Sequence, residues 1–329
     1  MKRRTWLSAL VPLALVMSSG VADAAPPPSP SVGVPTHRGA QTVAEQLRVT
    51  AFWTTARMRA AVPVERLSPQ PEQKTGTVRQ GTPSVVAPTK TQALGPTALP
   101  ALALPSTGAP WTGGGAVVRT AGRVFFTFKG RPASCSGDAV TSANRSVVMT
   151  AGHCVKLEGR WHTNWVFVPA YNNGRRPYGT WTARATLATP QWVASEDLNY
   201  DVGAAVVNTL GGRQLTSVVG GQGIAFNQPR NQTMYAFGYP AAPPYDGSRL
   251  IYCSGPTITD VLLSTDHGMV CDMTGGSSGG PWFLNFNPAT GLGIQNSVNS
   301  FKIIVLPTVM FGPYFGTDAR NLYNTAQRR

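Results

Sequence analysis

A chain of 329 residues, 42% hydrophobic and only 13% charged, is long enough for one sizeable domain or two small ones. Its net charge of +14 divides evenly, +7 over residues 1–110 and +7 over residues 111–329. The second part holds no dense basic cluster beyond Arg175-Arg176 and Arg328-Arg329, so the charge describes a generally basic surface and argues against nucleic-acid readout.

The N-terminus reads as an export signal. Lys2, Arg3 and Arg4 precede a mostly apolar stretch from Trp6 to Met17, and Ala22-Asp23-Ala24 supplies the small-x-small pattern of a cleavage site. A membrane anchor is the rival, but about twelve apolar residues are too few to cross a hydrocarbon core of roughly 30 Å. Residues 1–24 are therefore expected to be a signal peptide, with no stable membrane insertion after its removal. Residues 25–112 form a second zone. Fourteen of the 28 prolines lie between residues 26 and 110, with no cysteine and few aromatics, so this zone is expected to be largely unfolded when alone. Between Ala40 and Ala61 the spacing of Val43 and Leu47 suits one face of a helix. The zone reads as a pro-region; a permanent cell-wall spacer is the alternative.

All four cysteines and most glycines and aromatics lie beyond Pro110. Short apolar runs recur there between turn residues, at 124–128, 147–150, 165–168, 202–207, 234–238, 250–253 and 282–286, which argues for an all-β sandwich or barrel. Thr317 or Asp318 can start a short C-terminal helix reaching about Gln327, with Leu322 and Tyr323 free to pack. Four cysteines in an exported chain allow three pairings. Cys135–Cys154 with Cys253–Cys271 would close two loops of about twenty residues, each worth roughly 3 kcal/mol. Zinc is the rival, but there is no C-x-x-C and only Cys154 has a histidine beside it, so no metal or other cofactor is expected.

Two segments carry chemistry. Thr150-Ala151-Gly152-His153-Cys154 follows the apolar run Val147-Val148-Met149, and Gly276-Ser277-Ser278-Gly279-Gly280-Pro281 places a serine on a glycine-rich turn whose amides can face an oxyanion. The chain offers only His37, His153, His162 and His267. His37 lies in the disposable zone, while His162 follows Trp161 in an expected loop and His267 sits in the polar turn Ser264-Thr265-Asp266-His267-Gly268, so both suggest solvated surface histidines. His153 is then the candidate base for Ser278. A carboxylate should fix the imidazole tautomer. Asp201 opens the apolar run Val202–Val207 and so needs a partner, whereas Asp197 beside Glu196 reads as a loop acid. Gly276-Ser277-Ser278-Gly279-Gly280 also satisfies G-x-S-x-G, but the α/β-hydrolase elbow needs a histidine after the serine, and none follows His267.

With the order His153…Asp201…Ser278, residues 113–326 resemble the trypsin-like (chymotrypsin-fold) serine peptidases, in the flavour of the secreted bacterial glutamyl-endopeptidase-like branch. The resemblance implies a domain over residues 113–329 of two six-stranded antiparallel β-barrels, about 113–215 and 216–329, with the site in the cleft between them. It implies His153 as base, Asp201 as its orienting partner, Ser278 as nucleophile, the amides of Gly276 and Ser278 as oxyanion hole, and Cys135–Cys154 as the disulfide beside the histidine. It also implies acyl transfer on protein or peptide substrates by a secreted, monomeric endopeptidase. Two features depart from the pattern. Ser277 stands where trypsin-like zymogens carry the aspartate of their activation switch, so removal of the preceding segment would act by unblocking the cleft. Asp272, six residues before Ser278, occupies the place of the acid that selects Arg or Lys, but its loop differs, and no histidine follows Ser278 to favour glutamate. The alternative function is a silent homologue acting as an extracellular or cell-wall binding protein.

Overall fold

In a computed structural model of the chain, the described residues are Met1, 33–68, 78–89, 105–260, 264–303 and 305–329. The expected signal peptide, apart from Met1, lies outside them. Among them, no helix is long and apolar enough to cross a membrane.

The first barrel starts from a hairpin. Ala121–Phe128 pairs antiparallel with Arg131–Ala139, from Ala121 opposite Asp138 to Phe128 opposite Arg131. The two turn residues, Lys129 and Gly130, both have positive φ (48° and 79°), the twist that joins strands without splaying them. Thr163–Pro169, Trp181–Ala188, Gly203–Val207 and Val147–Thr150 continue antiparallel around the ring and return to Arg131–Ala139. Closure leaves no free edge among these six strands. Alternate residues, Val124, Phe126, Phe167, Leu187 and Val206 among them, fill the interior.

The second half holds a seven-stranded sheet ordered Ser84–Val86, Gly223–Phe226, Leu292–Val298, Pro281–Asn287, Thr233–Gly238, Ile251–Pro256 and Ser106–Pro110. A four-stranded sheet of Ile258–Thr259, His267–Val270, Leu306–Gly312 and Phe301–Ile303 completes it. Within the large sheet Gly223–Phe226 pairs in parallel with Leu292–Val298. Both edge strands of the large sheet come from the proline-rich zone, in keeping with the confinement of proline to sheet edges. The C-terminal helix spans Thr317–Ala326 and buries Leu322 and Tyr323 as the sequence suggests, although its N-cap is Gly316.

Residues 33–68 have almost no core of their own and take one from the barrel. Thr36–Arg38 adds a strand to Trp181–Ala188. A capping box of Thr42 and Glu45 starts the helix Val43–Phe52. Val43 and Leu47, the expected apolar face, point to solvent at 71% and 65% exposure. The anchors are instead Trp53 and Met58, fully buried in a cluster with Phe125, Val166 and Tyr171, with the Trp53 indole donating to the Asn164 carbonyl at 2.6 Å. Composition made this zone poor in buriable surface for itself, and the few large residues it has are placed on a neighbour.

Cys135–Cys154 and Cys253–Cys271 are the two disulfides, spanning 19 and 18 residues. Replacing Cys253 and Cys271 together by Ser is expected to lower unfolding stability by about 3 kcal/mol, read from denaturant midpoints, because the bridge restricts the unfolded chain.

Candidate active site

Val147–Thr150 ends in the one-turn 3₁₀ segment Gly152–Cys154, which carries His153 out of the first barrel. The disulfide from Cys154 to Cys135 ties this turn to a neighbouring strand. On its other side the Trp192 indole packs so closely that a Cβ on Gly152 would lie 2.7 Å from its ring, so the turn needs glycine there. The Asp197–Tyr200 turn leads to Asp201 just before Gly203–Val207.

Asp201 is fully buried. Its Oδ1 accepts from the His153 amide at 2.7 Å, and its Oδ2 from His153 Nδ1 at 2.7 Å and Ser300 Oγ at 2.5 Å. Three donors offset the cost of desolvating the carboxylate. The same contacts set the imidazole tautomer, with the Nδ1 proton toward Asp201 and Nε2 toward the cleft.

Ser278 stands on a turn held by both halves of the protein. The Ser278 carbonyl accepts from the Ser136 amide at 2.7 Å, and the Gly276 carbonyl from Ser136 Oγ at 2.9 Å. From the other half, Asn299 Nδ2 donates to the carbonyls of Phe237 and Ser277, at 2.8 and 3.0 Å. Gly279 has φ +80° and its absent Cβ would sit 2.1 Å from Thr150 Oγ1, so this approach of the turn to the barrel is open to glycine alone. Ser277 spends its hydroxyl locally on the Thr274 carbonyl at 2.8 Å.

The cleft is occupied. The Glu65 carboxylate, carried in by residues 62–66, accepts a hydrogen bond from Ser278 Oγ through Oε1. Its Oε2 accepts from the Gly276 amide at 3.2 Å. His153 Nε2 lies 3.7 Å from Oε1, an ion-pair separation rather than a hydrogen bond. Burial works against a charge on His153, but Asp201 and then Glu65 outweigh it and raise its pKa to about 10. Burial likewise opposes ionisation of Glu65, yet its contacts with His153 and Ser278 hold it below the usual carboxylate range.

His153, Ser278 and Gly276 thus meet around the Glu65 carboxylate, with Asp201 behind His153. Asp272 does not join them. Its side chain is exposed, its carboxylate accepts from Tyr245 Oη at 2.6 Å, and its amide donates to the Thr107 carbonyl at 2.6 Å. The cavity of about 120 Å³ beside Ser278 is lined instead by Met273, Thr274, Ser300, Phe301, Lys302 and Met310, among others. Anchoring Asp272 outward turns its neighbour Met273 inward. His162 and His267 also differ from expectation, since both are buried. His162 stacks on Phe126 at 4.2 Å and its Nε2 lies 2.8 Å from the His153 carbonyl, while His267 sits inside the strand His267–Val270. Burial lowers both pKa values to about 3, so both rings are neutral. Ser300, Asn299 and Glu65 were missed, because an isolated Ser, Asn or Glu carries no local signal of a long-range partner.

Comparison with known proteins places this geometry in a class. The protease Anisep from Arthrobacter nicotinovorans is 46% identical, with 65% of this chain aligned to 98% of that one at a TM-score of 0.61. The thermostable serine protease AL20 from an extremophilic microorganism is 43% identical, with 65% of this chain aligned to 99% of that one and a TM-score of 0.61. The chain belongs to the chymotrypsin-fold serine peptidases. A Glu endopeptidase shares the fold at 16% identity and a TM-score of 0.54, over 68% of this chain and 98% of its own. An extracellular metalloprotease of Bacillus subtilis is 36% identical over 75 residues, 22% of this chain; the match spans about a quarter of that relative's length (23%). No protein-family model matches.

The raised pKa of His153 has a measurable sign. Between pH 6.5, the ordinary value, and about 10, the folded chain holds a proton that the unfolded chain has lost. That contribution is complete below 6.5 and is lost as pH rises through about 10. Denaturant midpoints are expected to fall across this window, and less steeply in Glu65→Gln, which keeps the shape but removes one of the two carboxylates.

Proposed function

We propose that the protein is a secreted serine endopeptidase made as a precursor. The observation that supports this most is the placement of His153 between a buried, triply hydrogen-bonded Asp201 and the cleft that holds Ser278 Oγ. With the cleft free, His153 Nε2 takes the Ser278 proton as Oγ attacks the substrate carbonyl. The proton then passes to the departing amine, which leaves an acyl-serine. Asp201 stabilises the imidazolium formed in between without itself taking the proton. The Gly276 amide, already donating to an anionic oxygen, and the Ser278 amide form the oxyanion hole, where each donor is worth roughly 2.7–4 kcal/mol of barrier. Water attacking through the same base completes the cycle, and no cofactor takes part in it.

In this reading residues 1–24 direct export, residues 25–112 are the pro-region, and residues 113–329 are the monomeric catalytic domain that acts on peptide substrates. The strand Ser106–Pro110 is held in the second-half sheet opposite Ile251–Pro256, so the end of the pro-region stays with the domain when a cut falls in the residues before it.

The test is to process the protein, incubate it with a diverse peptide library and read cleavage by mass spectrometry beside Ser278→Ala. Wild type is expected to cut, and Ser278→Ala to lose about 10⁶-fold in kcat. If processed wild type cuts nothing, an extracellular binding role replaces the peptidase reading. Asp201→Asn is expected to keep the fold and lose about 10⁴-fold in kcat, measured on a peptide the library identifies, because the imidazole then takes the wrong tautomer.

A further inference from the structure

The catalytic cleft holds a side-chain carboxylate where a substrate would present a peptide carbonyl. We propose that residues 33–68 are an inhibitor of the catalytic domain whose reactive group is the Glu65 carboxylate, and that the segment keeps this activity as a separate peptide. This rests on the serine-peptidase reading above and adds to it the chemistry and the independence of the inhibitor.

The chemistry follows from the atoms. One carboxylate oxygen accepts from the Gly276 amide and the other from Ser278 Oγ. The oxyanion donor and the nucleophile are therefore both engaged by one planar anion. A carboxylate carbon shares the negative charge of both oxygens and is a poor electrophile, so Ser278 gains a hydrogen-bond acceptor and no bond to break. The same anion stands 3.7 Å from His153 Nε2 and favours the imidazolium, which has no lone pair to accept the Ser278 proton. Nucleophile, base and oxyanion hole are silenced together by one side chain.

The direction of the segment supports this role. His153 has to protonate the departing amine, so the part of a substrate that follows the cut bond leaves on the His153 side. The side chain before the bond then faces the cavity of Met273 and Met310. Val62-Pro63, which precedes Glu65, pairs in parallel with Ala133-Ser134, next to the Cys135–Cys154 bridge that flanks His153. The segment thus enters from the side by which a substrate's later residues leave.

Independence comes from anchors remote from the site. Thr36–Arg38 pairs with Leu187, Thr186 and Ala185 of the first barrel. Trp53 and Met58 fill the cluster around Phe125 and Tyr171. Arg59 Nη2 donates to the Asn173 carbonyl at 2.8 Å, and Ser68 bonds Glu158, which pairs with Lys129 at the turn before Arg131–Ala139. These contacts belong to residues 33–68 alone, so a cut in the residues that follow leaves every one of them in place.

The decisive experiment labels Ser278 with a fluorophosphonate in the full-length chain, and adds a synthetic peptide of residues 33–68 to the processed enzyme. Full-length wild type is expected to label about 100-fold more slowly than processed enzyme, because two charge-assisted hydrogen bonds must be given up. Full-length Glu65→Ala should approach the processed rate, and the isosteric Glu65→Gln should fall between, with circular dichroism confirming that each is folded. The wild-type peptide should inhibit processed enzyme, and its Glu65→Ala form should be about 100-fold weaker. If Glu65→Ala stays as unreactive as wild type while processed enzyme labels, or if both peptides inhibit equally, the proposal is overturned. If processed enzyme neither labels nor cuts, it is the peptidase reading that fails, and this proposal falls with it.

Discussion

The carboxylate of Asp201 has no access to water, and that constraint organises the molecule. A buried unpaired carboxylate would cost several kcal/mol or would take up a proton. It is paired instead with two donors from His153, at the end of one first-barrel strand, and with Ser300, which follows the long strand Leu292–Val298 of the second half. The two halves therefore meet over one carboxylate. Sliding between them would strain the Ser300 bond and disturb the orientation of the imidazole with it.

A second seam lies at the Ser278 turn. Ser136 of the first barrel and Asn299 of the second half both bond its backbone, and Gly279 lets it lie against Thr150. Backbone amides held from two sides do not have to reorganise when charge develops in front of them, which is the source of most oxyanion stabilisation. Rigidity here has a consequence for inhibition. Donors already in place bind any anion delivered to them, whether it arises in a reaction or arrives on Glu65. A cleft built this way is open to silencing by a carboxylate, and the segment that supplies one needs no change in the cleft itself. The absence of an acid at Ser277 fits a protein whose silencing acts in the cleft rather than beneath it.

Much of the site was legible because each of its parts leaves a local trace. His153 follows an apolar strand and adjoins a cysteine, Ser278 lies among glycines, and Asp201 opens a core strand where a charge needs a reason. The contributors that left no trace are those whose role depends on a partner far along the chain. Ser300 is 99 residues from Asp201, and Glu65 is 213 residues from Ser278. The errors have the same cause. His162 reads as a loop residue and His267 as part of a polar turn, yet the stack on Phe126 and the strand pairing of the second half bury them. Asp272 has the expected spacing from Ser278, but its bond to Tyr245 takes it away from the cavity. Val43 and Leu47 have helical spacing but no partner, because the surface available to that helix meets Trp53 and Met58.

By itself the sequence determined the class of architecture and singled out His153, Asp201 and Ser278 as candidates, because apolar periodicity, glycine turns and cysteine counts act over a few residues and survive in a linear reading. Only the tertiary structure decided which donors surround Asp201, which residues line the cavity and what fills the cleft. Those outcomes rest on distances between segments scores of residues apart. Such distances follow from the way the barrel closes and the halves pack, and no short window of the chain encodes them.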